Sequence, residues 1–175
     1  MAIVLTKYGY AESSDLRATL AGHIHSVVNE TLPLENGMLM KLGKMVKSQE
    51  LYDVQLPAEG DKIVLILSAL YPYEAYTKLM QHEMYLRKEA GEAARAYEIE
   101  PMDRYAVADY CITPIGEKPA KDNLVVVDPA TGFYKEIAAD AETDSYGFVA
   151  EIEEIVYKSN LTLAHLRVLK NEQVA

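Results

Sequence analysis

The chain has no tryptophan and a single cysteine, and both scarcities limit what it can be. With only Cys111, no intrachain disulfide framework can form, so the chain suits a reducing compartment or a fold stabilised by packing alone. No apolar run approaches the roughly 20 residues that span a bilayer. The first residues lack a basic region followed by a long apolar stretch, so we expect no secretory signal.

Basic residues are also few. The chain has 17 Lys and Arg and 27 Asp and Glu, which gives a formal charge of −10. Binding to nucleic acid requires Lys and Arg grouped on one face. The densest basic group here is Lys41, Lys44 and Lys47, and the acidic surface repels phosphate. We therefore expect neither nucleic acid nor an anionic membrane as a partner.

Period-two alternation of apolar and polar residues is the main pattern in this sequence. Residues 94–99 alternate, Pro101 and Asp103 mark a turn, and a second alternating run starts at Tyr105. Similar runs occupy 38–42, 51–56, 148–157 and 164–168, separated by turn signals. Residues 63–67 are a continuous apolar run, typical of a strand covered on both faces, and 124–134 read as a hairpin. A slip of phase after Ile152 predicts a β-bulge. The pattern predicts a mainly β fold, either a small β-barrel or a β-sandwich.

Two segments interrupt this pattern. Apolar residues at helical spacing in 74–90, with Gly91 after them, predict one short helical excursion. Residues 1–33 have no clean period and are predicted to be an extended N-terminal arm. The remainder, 34–175, is predicted to be a β-rich domain, either undivided or in two lobes at about 34–113 and 114–175.

Candidate chemistry is sparse. His23 and His25 could place two imidazoles on one strand face, but no third ligand has matching spacing, so surface or interface histidines are favoured. His82-Glu83 begins a zinc-protease pattern that fails at Leu86. There is no Gly-x-Ser-x-Gly turn and no Gly-rich phosphate loop. We predict no catalytic residue, no metal and no cofactor, and a protein that is not an enzyme.

A family resemblance lies in residues 35–113. It consists of Glu35-Asn36-Gly37, Glu50-Leu51-Tyr52, an apolar strand at 62–69, Ala94-Arg95-Ala96-Tyr97 and Asp103-Arg104-Tyr105. In this order the segments resemble small virion structural proteins of tailed bacteriophages that decorate capsids. This sequence has Met102-Asp103 where the related pattern has Gly-Asp.

The resemblance implies a protein that is made in the host cytoplasm and then binds the capsid surface of the virion. Its implied partners are the major capsid protein and further copies of itself, with no catalytic residues. Under this hypothesis the arm would add a strand to a neighbouring subunit. Its candidate interface residues are Ile3, Leu5, Tyr8, Tyr10, His23 and His25.

Two other functions remain open from the sequence. Thirteen tyrosines against two phenylalanines suit protein interfaces and equally suit a thin β core. A small β-barrel that binds a ligand, or a hydrolase with Tyr and carboxylates at a barrel mouth, is one alternative. A connector protein of the phage tail or neck is the other.

Overall fold

The computed structural model describes residues 6–46, 50–69, 82–158 and 161–174. Within these ranges the chain is mainly β, which confirms the predicted fold class. The strands are β1 (Ala11–Asp15), β2 (Ile24–Val28), β3 (Leu39–Val46), β4 (Leu51–Gln55), β5 (Val64–Ile66), β6 (Ala94–Glu98), β7 (Arg104–Ala108), β8 (Ile112–Thr113), β9 (Leu124–Val127), β10 (Tyr134–Ile137), β11 (Phe148–Lys158) and β12 (Leu161–Asn171). One helix, α1, covers Arg17–Ala21.

Five strands close into a small barrel in the order β2-β4-β3-β5-β6. Its interior is filled by the apolar side chains that alternation places on one face, among them Val27, Met40 and Val54. Gly43, which the sequence suggested would end a strand, lies inside β3. A Cβ there would sit 2.9 Å from the Asp53 carbonyl oxygen, so glycine lets β3 and β4 approach closely.

The other seven strands form one sheet in the order β1-β7-β12-β11-β9-β10-β8. The longest pairing in it is the hairpin of β11 and β12, and its register shifts between Ile152 and Glu154. This confirms the bulge that the slip of phase predicted. In β12 the apolar positions of the alternating run 164–168 are buried, namely Ala164, Leu166 and Val168.

The segment between β6 and β7 carries the chain from the barrel to the sheet, so these adjacent strands are not paired with each other. The turn is closed by the buried Asp103, whose carboxylate accepts hydrogen bonds from the Glu100 N–H at 2.9 Å and the Arg17 N–H at 3.2 Å. Met102 has a φ of 77°, in the left-handed region. Such a φ costs a residue with a side chain about 1–2 kcal/mol, which explains why glycine suits this position in the related pattern.

The described part of the predicted arm, residues 6–33, belongs to the two sheets. β1 lies at the end of the seven-stranded sheet beside β7, and β2 is paired on both sides, with β4 and β6. The strands of the barrel lie between residues 24 and 98, and the strands of the sheet lie at 11–15 and between 104 and 171. Neither residue 33 nor residue 113 therefore separates the barrel from the sheet. β2 cannot be donated to another subunit without opening the barrel.

The predicted helix over 74–90 needs correction where the structure describes it. Residues 74–81 lie outside the described residues. From His82 on, the chain forms only a 3-10 turn at Glu83–Tyr85 and then extends. The physical reason is pairing, because the N–H and C=O of Lys88 both bond to Leu34 at 2.9 Å.

A buried side chain joins the barrel to the sheet. Asn171, near the end of β12, accepts a hydrogen bond from the Ile63 N–H at 2.9 Å. Its amide donates to the carbonyl oxygens of Ile63 at 2.9 Å and Ile99 at 2.8 Å. Ile63 precedes β5 and Ile99 follows β6, so one side chain fixes the sheet against two barrel strands.

Candidate functional site

Tyr8 and Tyr10, two of the predicted interface residues, pack against their own chain. The Tyr8 ring lies 4.7 Å from the Arg87 guanidinium. The backbone N–H of Tyr8 donates to the Met84 carbonyl oxygen at 2.8 Å. The Tyr10 hydroxyl donates to Glu12 at 2.8 Å. Burial, followed by this hydrogen bond, raises the pKa of Tyr10 well above its ordinary value. Ile3 and Leu5 lie outside the described residues.

His23 and His25 converge on one carboxylate at the barrel surface, away from the Tyr8 and Tyr10 contacts. His25 Nε2 lies 2.7 Å from Glu98 Oε1, and His23 Nδ1 lies 3.6 Å from Glu98 Oε2. The hydrogen bond with His25 is the main cause that lowers the pKa of Glu98 below its ordinary value, although burial opposes it. Across the described ranges no group of three His, Cys, Asp or Glu is arranged to hold a metal ion.

This contact makes stability depend on pH. A carboxyl with a lowered pKa stabilises the fold above its ordinary value of 4.5, and the contribution is lost as the pH falls through the lowered value. We expect Glu98→Gln to be less stable than the wild type by roughly 1 kcal/mol at pH about 6, and we expect this gap to close as the pH falls through the lowered pKa of Glu98. Chemical denaturation across this pH range measures the gap.

Glu142 is exposed in the loop between β10 and β11 and provides the control for this experiment. Glu142→Gln removes the same charge without a histidine partner and should leave the free energy of unfolding unchanged. A gap between Glu98→Gln and the wild type that does not narrow as the pH falls below 4.5 would contradict the assignment.

The buried polar side chains mostly hold loops in place. Asn36 exchanges two hydrogen bonds with the Ser68 backbone at 2.8 and 2.9 Å. Asp61 accepts from the Lys41 ammonium at 2.7 Å and the Ala58 N–H at 2.8 Å. Burial acts to raise the pKa of Asp61, but these partners together lower it below its ordinary value. Asp103 and Asn171 serve the same structural purpose.

A fifth buried polar side chain, Glu136, holds the loop beside a surface groove. Glu136, in β10, accepts hydrogen bonds from the Ile115 N–H at 2.9 Å, the Ala120 N–H at 2.8 Å and the Asn123 amide at 2.8 Å. These bonds fix the loop over 114–123 while leaving the Ile115 side chain 61% exposed. Beside the loop is a groove of about 470 Å³, here called the loop groove. It is lined by Asp109, Tyr110, Ile112, Thr113, Pro114, Glu117, Lys118 and Pro119.

Tyr110 connects the loop groove to the N-terminal segment. It is 41% exposed, and its hydroxyl donates to the Tyr8 carbonyl oxygen at 2.9 Å. Burial raises the pKa of Tyr110 above its ordinary value, so it stays a neutral hydrogen-bond donor. Tyr8 is therefore the predicted interface residue that contacts a lining residue of the groove. The sequence analysis missed the groove, although the two prolines around an apolar residue were a signal for a rigid exposed loop.

Comparison with known proteins adds no relative. No family model matches this chain, and neither the curated proteins nor the solved structures include a similar one. In the part of the chain that the structure describes, no helix is long and apolar enough to cross a membrane. The geometry of the chain itself therefore has to carry the functional argument.

The thiol beside the loop groove is buried. Cys111, next to Tyr110, is 5% exposed, and burial raises the pKa of its thiol to about 12. A thiol in that state is a poor nucleophile. The loop over 114–123 offers a backbone held by Glu136 and the exposed Ile115, and the groove beside it offers the half-exposed Tyr110. Exposed apolar and aromatic side chains of this kind are features of a protein-binding surface.

Proposed function

We propose that this chain is a structural protein of a tailed-phage virion that binds the head shell and stabilises it through protein contacts. The resemblance over residues 35–113 supports the class of protein. The observation that carries the proposal is the loop beside the groove, which Glu136 holds in place and which leaves the Ile115 side chain exposed. A rigid loop loses little conformational entropy on binding, so an exposed aliphatic side chain there is suited to docking.

The negative charge of the chain favours a position on the outer side of the shell. At a formal −10 it has little affinity for packaged nucleic acid, so contacts with the shell must come from shape and apolar area. Other large exposed apolar side chains are scattered over separate elements, such as Leu20 on α1 at 88% exposure, Met45 on β3 and Met102 in the turn before β7. Single exposed residues of that kind are ordinary on protein surfaces.

Rebinding to shells that lack this chain tests the proposal. We expect the purified wild type to sediment with such shells and Ile115→Asp to bind at least roughly tenfold more weakly, because a buried charge in the docked groove is costly. Leu20→Asp is the matched control, since it makes the same change at an exposed aliphatic residue of α1. Thermal denaturation should give both variants the wild-type stability.

Three results would contradict the proposal. Equal binding by Ile115→Asp and the wild type would remove the groove as the docking surface. Failure of the wild type to bind shells, with binding to isolated tails or necks instead, would favour the connector function. Binding to neither, together with saturable binding of a small molecule, would favour the ligand-binding alternative.

A further inference from the structure

Within the described residues, the outer half of β11 is an open sheet edge. β9 pairs with β11 only at residues 149–151, and the last backbone contact on that side is at Ile152, whose N–H bonds to the Asn123 carbonyl at 2.9 Å. From 153 to 158, β11 is paired with β12 on one side. On the other side no strand among the described residues pairs with it.

The register of β12 determines which backbone groups face this edge. Val168 of β12 bonds through its N–H and its C=O to residues 103 and 102, on the β7 side, at 2.9 and 2.8 Å. Backbone direction alternates along a strand, so Leu163 and Leu161 face the opposite way, toward β11. Their partners there are Val156 and Lys158.

It follows that Ile155 and Tyr157 direct their N–H and C=O groups away from β12, toward the open edge. The side chains on this segment are also suited to contact. Ile155 packs partly against the core, and Tyr157 is 73% exposed. Unpaired edge groups beside apolar side chains favour pairing with another strand.

The segment 154–158 reads Glu-Ile-Val-Tyr-Lys and is complementary to itself when reversed. With Val156 on a two-fold axis, Glu154 of one copy lies opposite Lys158 of the second copy. Ile155 then lies opposite Tyr157 of the second copy, and these are the residues whose backbone groups face outward. Opposite charges and aliphatic–aromatic pairs are both favourable across antiparallel strands.

We propose that two copies of this chain associate by antiparallel pairing of their β11 edges, with Val156 at the two-fold axis. The pairing forms about four backbone hydrogen bonds, between Ile155 and Tyr157 of opposite copies. Lys158 keeps its contact with Glu12, at 2.6 Å, and gains Glu154 of the second copy as a further carboxylate. The inference is independent of the head shell, because it uses only the chain itself.

Cross-linking tests both the partner and the register. Across the axis, the Cα atoms of a Val156→Cys pair would be about 4.5 Å apart, within reach of a disulfide. A Glu154→Cys pair would be about 14 Å apart, which is too far. We expect mild oxidation to produce covalent dimers of Val156→Cys and not of Glu154→Cys. The native Cys111 is buried and does not compete.

Charge exchange provides a second test that uses no cysteine. By analytical ultracentrifugation we expect Glu154→Lys and Lys158→Glu each to dimerise roughly tenfold more weakly than the wild type, because like charges then face each other. An equimolar mixture should recover wild-type affinity, since each new charge meets its opposite. Glu142→Lys, a reversal in an exposed loop, should dimerise like the wild type.

Three results would overturn the inference. The first is a wild type that stays monomeric up to millimolar concentration. The second is equal cross-linking of Val156→Cys and Glu154→Cys, which would exclude the register. The third is a mixture of the two charge variants that dimerises no better than either alone. Circular dichroism of each variant confirms that the comparison is made between folded proteins.

Discussion

Deleting residues 1–33 is expected to abolish cooperative unfolding of the protein. The deletion removes β1 and β2, and β2 lies between β4 and β6 in the closed barrel. It also removes Leu16, Val27 and Val28, which are almost fully buried. Each such side chain contributes about 1.5–3 kcal/mol by burial, against a total stability of about 5–15 kcal/mol for an ordinary domain. Loss of the sigmoidal transition in thermal denaturation is the measurement.

A matched pair of substitutions within β2 separates this effect from the mere loss of chain length. Ser26 and Val27 are neighbours on opposite faces of the strand, the first exposed and the second buried. Val27→Asp should destabilise the protein by about 3 kcal/mol or more, and Ser26→Asp by less than about 1 kcal/mol. A folded, cooperative product of the 1–33 deletion would restore the hypothesis of a free arm.

Replacing Asn171 is expected to be the most damaging single polar substitution on the sheet. Asn171→Leu keeps the approximate size of the side chain but leaves the Ile63 N–H and the carbonyl oxygens of Ile63 and Ile99 without their partner. Each buried group left unsatisfied costs about 1–3 kcal/mol. We expect a loss of roughly 3–5 kcal/mol in guanidinium denaturation.

The neighbouring Glu172 is exposed and gives the control for this substitution. Glu172→Leu should change the free energy of unfolding by less than about 0.5 kcal/mol. If Asn171→Leu cost no more than Glu172→Leu, the contact between sheet and barrel would not depend on this side chain.

The strands were predictable because their side chains alternate. The bulge after Ile152 and the buried face of β12 follow directly from the phase of apolar residues, which responds to one core. The assignment of strands to two sheets could not be predicted, since β6 and β7 are adjacent in sequence and alternate equally well. The turn between them is held by Asp103, which accepts a hydrogen bond from the Arg17 N–H, a contact between distant parts of the chain.

Most of the candidate surface could not be predicted from the sequence, for a similar reason. Glu136 follows Lys135 in β10, and two successive charged residues suggest an exposed position. It is nevertheless buried, because three donors from 115–123 converge on it. The predicted pair of His23 and His25 does share a strand region, but their common partner Glu98 arrives from β6. Partners supplied by another strand leave no local pattern.

The most direct test of the proposed function is the copy number of this chain in purified phage particles, measured by quantitative mass spectrometry. As a shell-binding structural protein, the chain is predicted to be present in intact heads at a fixed ratio to the major shell protein, unchanged by a high-salt wash of the particles. Its absence from heads, or a trace amount that varies between preparations, would contradict the proposal.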